Sequence, residues 1–142
     1  MLFPPNLCTT RRRDGTLEEA DFSTCSIDPT RAQAIAEALK TNVKLVKLDL
    51  YDNQLGDDGL KALAGALETN TKLRVLNLKW NGLGKLNQVG GPDNDAGVIA
   101  FAAALKKNKT VEQINLVGCP AERPASRWKV PPVSFTVRLL SF

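Results

Sequence analysis

The first candidates for catalytic residues in this sequence are its recurring aspartates. Asp57 and Asp58 are adjacent, and paired carboxylates can act as general acid and base or bind a metal ion. The sequence contains no histidine, so it lacks the commonest general base and the commonest zinc ligand. Asp28 precedes Pro29, and Asp57, Asp58 and Asp95 stand just before stretches with helical spacing, where a helix N-terminus favours negative charge. We interpret these carboxylates as helix caps, and the sequence predicts no catalysis, no metal site and no cofactor.

A glycine-containing stretch, KLNQVGGPDN from Lys85 to Asn94, raises the question of phosphate binding. In a phosphate-binding loop the lysine follows the glycines, in the pattern G-x-x-x-x-G-K-[ST]. Here Lys85 precedes Gly90 and Gly91, so that pattern is absent. The glycines and Pro92 instead predict a surface loop. Such an insertion is either simply tolerated at the surface or used for binding.

The elements that position these residues form a repeat. Apolar residues return at offsets of 28, 28 and 38 residues in the pattern L-x-x-L-x-L-x-x-N/C-x-L, and the four units begin at Leu17, Leu45, Leu73 and Val111. The first three units continue with apolar residues at helical spacing, and the first helix is predicted from Pro29 to about Thr41. We expect the helices to pack small residues toward the sheet, at Ala36, Ala64 and Ala102. We also expect an asparagine in the left-handed conformation to end each helix, at Asn42, Asn70 and Asn108.

This pattern and its period are the leucine-rich-repeat signature. Over residues 17–120 the chain resembles the fully helical class typified by ribonuclease inhibitor and the repeat domains of NOD-like receptors. The resemblance implies an α/β leucine-rich-repeat solenoid with the shape of a horseshoe arc, in which parallel strands line the concave face and helices the convex face. It also implies a binding role, without identifying the partner.

The alternation of side chains along a strand predicts which residues face a partner. If Leu48 and Leu50 point inward, their neighbours lie on the concave face, and a polar column runs across the units at Asp21, Asp49, Asn77 and Asn115. We expect a partner-binding patch at Lys47, Asp49, Tyr51, Asp52, Asn77, Lys79, Trp80 and Asn115. Exposed aromatic residues on adjacent strands are typical of interfaces. The alternative is that Tyr51 and Trp80 shield one another and the stems of neighbouring lysines.

We expect three segments along the chain. Residues 1–16 form an N-terminal tail or partial cap, and residues 17–120 hold the repeats, with units starting at 17, 45, 73 and 111 and an inserted loop at 85–94. Residues 121–142 are a non-repeat segment in which apolar residues alternate with polar ones from Val133 to Leu139, as in a strand. This strand would cap the C-terminal edge of the array. Without it, open sheet edges would favour self-association.

The positive charge of the chain lies in its tails. Residues 1–16 carry a net charge of +2 and residues 121–142 one of +3, which leaves −1 of the total +4 for the repeat region. A nucleic-acid groove needs clustered lysine and arginine, so we expect no nucleic-acid partner. We interpret Arg11, Arg12 and Arg13 as a solvated tail. No apolar run reaches the 18 or more residues typical of a membrane helix, so we expect no membrane partner either.

Three cysteines do not constitute a disulfide framework. Cys25 and Cys119 stand where the other units have Asn53 and Asn81, and both are predicted to be buried and reduced. Cys8 lies in the N-terminal tail. Reduced cysteines, together with an N-terminus that lacks the basic start of a signal peptide, predict a cytoplasmic protein.

The sequence therefore favours a non-catalytic protein–protein interaction module that binds a protein partner through its concave face. One alternative is a regulator of a small GTPase, because a family of GTPase-activating proteins has similar repeats. That function needs a specific arginine or asparagine on one rim, which we cannot match. Another alternative is a structural or truncated fragment of a larger repeat receptor, which would be poorly stable by itself.

Overall fold

Strands and helices alternate along the chain in the computed structural model, which describes residues 18–82, 96–116 and 136–138. The described strands are β1 (Glu19–Asp21), β2 (Lys47–Asp49), β3 (Val75–Asn77), β4 (Gln113–Asn115) and β5 (Thr136–Arg138). The described helices are α1 (Pro29–Thr41), α2 (Gly56–Leu67) and α3 (Ala96–Lys107). The strands form one sheet in the order β1-β2-β3-β4-β5. Its first four strands are parallel, as the predicted α/β solenoid requires.

The register of the parallel strands follows the sequence repeat. Glu19 pairs with Lys47, Lys47 with Val75, and Val75 with Gln113. The ten additional residues of the third unit therefore leave the strand register unchanged. Those residues, predicted as a loop at 85–94, lie outside the described residues.

The middle residue of each parallel strand is buried and its two neighbours are more exposed. The buried residues are Ala20, Leu48, Leu76 and Ile114. Because side chains alternate across a strand, this pattern places one side of the sheet against the helices and the other toward solvent. Each leucine buried in this way stabilises the fold by about 1.5–3 kcal/mol relative to an exposed leucine.

Helix α1 begins and ends as predicted. The Asp28 carboxylate accepts a hydrogen bond from the backbone N–H of Arg31 at 2.8 Å, and Pro29 occupies the first turn. Helix α2 begins earlier than predicted, at Gly56, so Asp57 and Asp58 lie within its first turn. Its N-cap residue, Leu55, makes no side-chain capping bond. The prediction that Asp57 and Asp58 cap their own helix is therefore wrong in detail, although both carboxylates lie near the positive end of the helix.

Glycines allow close approach between consecutive helices. The backbone N–H of Gly97 in α3 donates to the Asp57 carboxylate in α2 at 3.1 Å. A Cβ atom at Gly97 would lie 2.5 Å from the backbone oxygen of Asp57, and one at Gly59 would lie 3.1 Å from the Cβ of Ala32. Gly59 and Gly97 occupy equivalent positions in the repeat. Asp57 thus caps the helix of the next unit.

The prediction for the inward-facing alanines is correct in two helices and wrong in the third. Ala36 and Ala64 are buried, whereas Ala102 is exposed. Helix α2 packs against both α1 and α3, whereas among the described helices α3 packs against α2 alone. Ala104 is the buried alanine in the second half of α3.

The asparagines that follow the helices form a ladder instead of left-handed caps. Asn42 has φ −75° and ψ 121°, and neither Asn70 nor Asn108 has positive φ. The side chain of Asn70 donates to the oxygens of Leu39 and Asn42 in the preceding unit and accepts from the N–H groups of Lys72 and Leu73. Asn108 repeats this arrangement one unit later. The predicted left-handed conformation is wrong because the side chains, and not the backbone, satisfy these groups.

The cysteine prediction also requires correction. Cys25 is disulfide-bonded and only half-buried, whereas the sequence predicts a buried, reduced thiol. Asn53 of the next unit supports the turn around Cys25, because its side-chain oxygen accepts from the N–H groups of Cys25 and Ile27 at 3.0 and 2.9 Å. The Cys25 sulfur itself lies 3.2 Å from the Ser23 oxygen of its own turn. Cys8 and Cys119 lie outside the described residues.

The edge of β4 is paired along three residues by an antiparallel strand. Asn115 pairs with Thr136, Ile114 with Val137, and Gln113 with Arg138. Strand β5 falls within the stretch predicted as a strand, and the rest of residues 121–142 lies outside the described residues, as do residues 1–16. In the described part of the sheet, β1 is the outermost strand on the opposite side. None of the helices described is long and apolar enough to cross a membrane.

Candidate functional site

The solvent-facing side of the parallel sheet carries the residues predicted for the patch. On β2 and the turn that follows it, Leu48 and Leu50 are fully buried, Lys47 is exposed, and Asp49 and Tyr51 are half-buried. Asn77 and Lys79 are half-buried in the same positions of the next unit, and so is Asn115 on β4. The alternation along the strands thus places these side chains on one face.

A hydrogen-bonded polar column crosses this face. The side-chain amide of Asn77 donates to both carboxylate oxygens of Asp49, at 3.0 and 3.1 Å. Asp49 also accepts from the backbone N–H of Tyr51 at 2.9 Å, and Asn77 accepts from that of Lys79 at 3.2 Å. The column therefore ties two repeats together and fixes the start of the turn after each strand.

The first member of the column, Asp21, has the same local role. Its carboxylate accepts from the hydroxyl of Ser23 at 2.7 Å and from the Ser23 backbone N–H at 2.9 Å. These two hydrogen bonds hold the pKa of Asp21 below its ordinary value, because they stabilise the ionised form. Asp21 is therefore negatively charged at neutral pH.

A second row, which we call the turn row, consists of Thr24, Asp52 and Trp80. All three have positive φ, at 56°, 51° and 63°. The N–H of Thr24 donates to the oxygen of Tyr51 at 2.8 Å, and that of Asp52 to the oxygen of Lys79 at 2.9 Å. These bonds hold the turns of adjacent repeats in register. A left-handed conformation suits aspartate but is strained for a β-branched or a bulky aromatic residue, so Thr24 and Trp80 are the unusual members of the row.

Trp80 and Tyr51 have different surroundings. The ammonium group of Lys79 lies 5.8 Å from the centre of the Tyr51 ring, within the range of a cation–π interaction. Tyr51 is half-buried, while Trp80 remains 53% exposed. Lysine shielding thus accounts for Tyr51, whereas the Trp80 side chain still exposes half of its surface.

Asp52 presents an unpaired charge beside Trp80. It is exposed, and its carboxylate forms no hydrogen bond or ion pair within the described ranges. Glu19, another exposed acid on this face, has a cationic neighbour, because its carboxylate lies 3.8 Å from the ammonium group of Lys47. Lys47 therefore belongs with Glu19 at the amino end of the strands, four residues along the chain from Tyr51.

The predicted patch spans three repeats. Asp49, Tyr51, Asp52, Asn77, Lys79 and Trp80 lie on two adjacent repeats, Lys47 lies beside Glu19 at the start of β2, and Asn115 is in register with Asn77 on the next strand. Sequence reasoning missed the left-handed turn row. One signal was available, since Gly118 stands at the equivalent position of the fourth unit, and glycine adopts positive φ readily. Carboxylate, amide, ammonium and aromatic groups in this arrangement can recognise another surface through charge, hydrogen bonding and ring contacts.

Comparisons with known proteins agree with this geometry. Residues 41–64 and 69–85 match a family model described as Leucine Rich repeat. The chain is similar in structure to Leiomodin-1 Actin-Binding Site 2, with a TM-score of 0.55 and 24% sequence identity. The similarity covers 71% of this chain and 54% of that one, so our chain spans about half the length of its structural neighbour. No curated protein matches the sequence.

Parallel strands on one side, helices on the other and asparagine ladders between units define an α/β repeat solenoid. The matching family model and the structural neighbour identify these units as leucine-rich repeats. Domains of this kind are typically interaction modules that bind other proteins.

Proposed function

We propose that this chain is a non-catalytic protein–protein interaction module whose partner binds the concave face at Trp80. The observation that supports the proposal is that Trp80 combines a strained left-handed backbone with 53% exposure. Strain of this kind costs about 1–3 kcal/mol and tends to occur at functional sites. Contact with a partner would compensate for both the strain and the exposed indole.

The rest of the patch supports a protein partner over a nucleic acid. Asp21, Asp49 and Asp52 lie on this face, where Lys79 is engaged with Tyr51. Phosphate groups are held by clustered lysine and arginine, so a face with this charge would repel a nucleic-acid backbone. We also propose that the module needs no cofactor and binds no membrane.

The class of leucine-rich repeat belongs to the same proposal. The three described helices have 12 or 13 residues each, which supports the ribonuclease-inhibitor-like class. A cytoplasmic location remains a prediction, and the bonded Cys25 weighs against it because disulfides persist in oxidising compartments. If the chain self-associates through its sheet, the edge that takes part is that of β1, because the edge of β4 is paired with β5.

The name of the structural neighbour refers to an actin-binding site, and that property belongs to leiomodin. At 24% identity the similarity supports a common fold, and we do not extend actin binding to this chain. Within the described residues, no observation favours the alternative of a small-GTPase regulator.

Differential affinity capture tests the proposed function. The parent chain, the double variant Tyr51→Ala/Trp80→Ala and the control Ile99→Ala are immobilised, and bound proteins are quantified by mass spectrometry. Ile99 is a suitable control because it is a 67% exposed apolar residue on helix α3. Circular dichroism and unfolding curves first establish that all three chains fold.

We expect a protein that is enriched by the parent and by Ile99→Ala and is lost with the double variant. Equal enrichment by the double variant would contradict the assignment of the face. Failure of the parent to enrich any protein over a blank matrix would contradict the module function.

A further inference from the structure

We infer that the concave face accepts an arginine side chain of its partner, which stacks on the indole of Trp80 and pairs with the carboxylate of Asp52. This inference rests on the proposed function, because it specifies the chemistry of the partner at the same site.

The two groups that would form the arginine site are held side by side. Asp52 and Trp80 occupy the same position in the turns of adjacent repeats, joined by the backbone bond from Asp52 N–H to Lys79 oxygen at 2.9 Å. Adjacent strands are spaced about 4.8 Å apart. Both residues have left-handed backbones, with φ 51° and 63°, so their side chains leave the turn in similar directions. An indole face and a carboxylate therefore flank one small region of surface.

Neighbouring groups leave the Asp52 charge available. Asp49 receives hydrogen bonds from Asn77 and from the backbone of Tyr51, and Glu19 has Lys47 as its cationic neighbour. The Lys79 ammonium of the next repeat lies over the Tyr51 ring, 5.8 Å from its centre. The Asp52 carboxylate is bonded to no group in the part of the chain that the structure describes.

Arginine fits this pair of groups better than other side chains do. Its planar guanidinium stacks on aromatic faces and also pairs with carboxylates, whereas lysine carries a compact, strongly hydrated charge. An apolar or acidic partner residue would remove water from the Asp52 carboxylate without replacing its hydrogen bonds, which is unfavourable. Charge complementarity thus selects a partner segment that contains arginine.

The test uses the full chain with Trp128→Phe, which leaves Trp80 as its single tryptophan. The probes are an acetylated, amidated heptapeptide, Gly-Ser-Arg-Gly-Arg-Ser-Gly, and the same peptide with citrulline in place of both arginines. Citrulline has nearly the same shape as arginine and no charge. The readout is the chemical shift of the Trp80 indole N–H during titration.

We expect the arginine peptide to shift the indole resonance in a saturable manner and the citrulline peptide to leave it in place. Asp52→Asn should weaken the apparent affinity by roughly twofold to fivefold, since it removes one exposed charge pair. Asparagine tolerates positive φ, so this variant keeps the turn. The control Asp58→Asn removes an exposed carboxylate from α2 and should leave the titration unchanged.

Three results would overturn the arginine site: no shift with the arginine peptide, the same shift with the citrulline peptide, or the same affinity in Asp52→Asn. If any of these occurs while the captured protein is still lost with Tyr51→Ala/Trp80→Ala, the interaction module stands and only the arginine site fails. If no protein is captured by the parent chain, the module function fails independently of the peptide result.

Discussion

Asn77 donates its side-chain amide to both carboxylate oxygens of Asp49 across the boundary between two repeats. Both residues are half-buried on the concave face, and each also accepts a hydrogen bond from the turn that follows its strand. The bond therefore does more than join two strands. It also holds the polar column in place beside the turn row, which contains Asp52 and Trp80.

Replacing this donor by a like charge should destabilise the fold. In Asn77→Asp two carboxylates face one another, and we expect the free energy of unfolding at about pH 7 to fall by roughly 1 kcal/mol. At about pH 4 protonation of one carboxyl restores a donor, so the deficit relative to the parent should shrink. Urea unfolding at both pH values measures this difference. Gln54→Glu, which adds a charge at an exposed position, is the control, and an equal loss in both variants would contradict a specific bond.

The contact between α2 and α3 should not tolerate a methyl group at Gly97. A Cβ atom there would lie 2.5 Å from the Asp57 backbone oxygen, so Gly97→Ala should lower the unfolding free energy by about 2 kcal/mol or more. Gly65→Ala is the matched control, because a Cβ atom at Gly65 meets no atom within 4 Å. It should stabilise the chain by about 0.5–1 kcal/mol, since alanine is the better helix former. Chemical denaturation of both variants checks the opposite signs, and equal effects would show that the close packing is misassigned.

The asparagine ladder predicts a strong dependence on Asn70. Asn70→Ala removes two donated and two accepted hydrogen bonds at a buried position, so we expect a loss of about 2–4 kcal/mol. The Asn42 side chain is half-buried and accepts from the N–H groups of Lys44 and Leu45, so Asn42→Ala should cost about 1 kcal/mol. Thermal or denaturant unfolding compares the two. Similar losses would argue against the bonds that Asn70 donates to the preceding repeat.

The repeat register could be predicted from the sequence because it rests on local and repeated information. Leu48, Leu76 and Ile114 each occupy the buried centre of a strand, and misalignment by one residue would expose them together. The start of α1 could also be predicted from local sequence, since Asp28 caps an N–H group three residues away and Pro29 occupies the first turn.

The remaining features depend on contacts between units. Asn70 bonds to Leu39 and Asn42 in the unit before it, and Asp57 caps the helix of the unit after it. Neither partner is recognisable from the spacing within one repeat. The exposure of Ala102 likewise depends on which helix covers α3.

Within the candidate site, strand alternation predicted the face but not the backbone strain. The position of Trp80 on a turn was visible when the repeats were aligned with one another, whereas the positive φ that it shares with Thr24 and Asp52 was not. The unequal environments of Tyr51 and Trp80 arise in the same way, because the Lys79 side chain lies over Tyr51.

The most direct test of the central claim compares Trp80→Asn with the parent chain, in unfolding free energy and in affinity for the captured partner. Asparagine suits the left-handed backbone, so we expect stability to rise by about 0.5–1 kcal/mol, while binding weakens by about 2 kcal/mol or more. Such a result would show that Trp80 is retained for binding at a cost in stability. A loss of stability with unchanged binding would contradict the account and make Trp80 a structural residue.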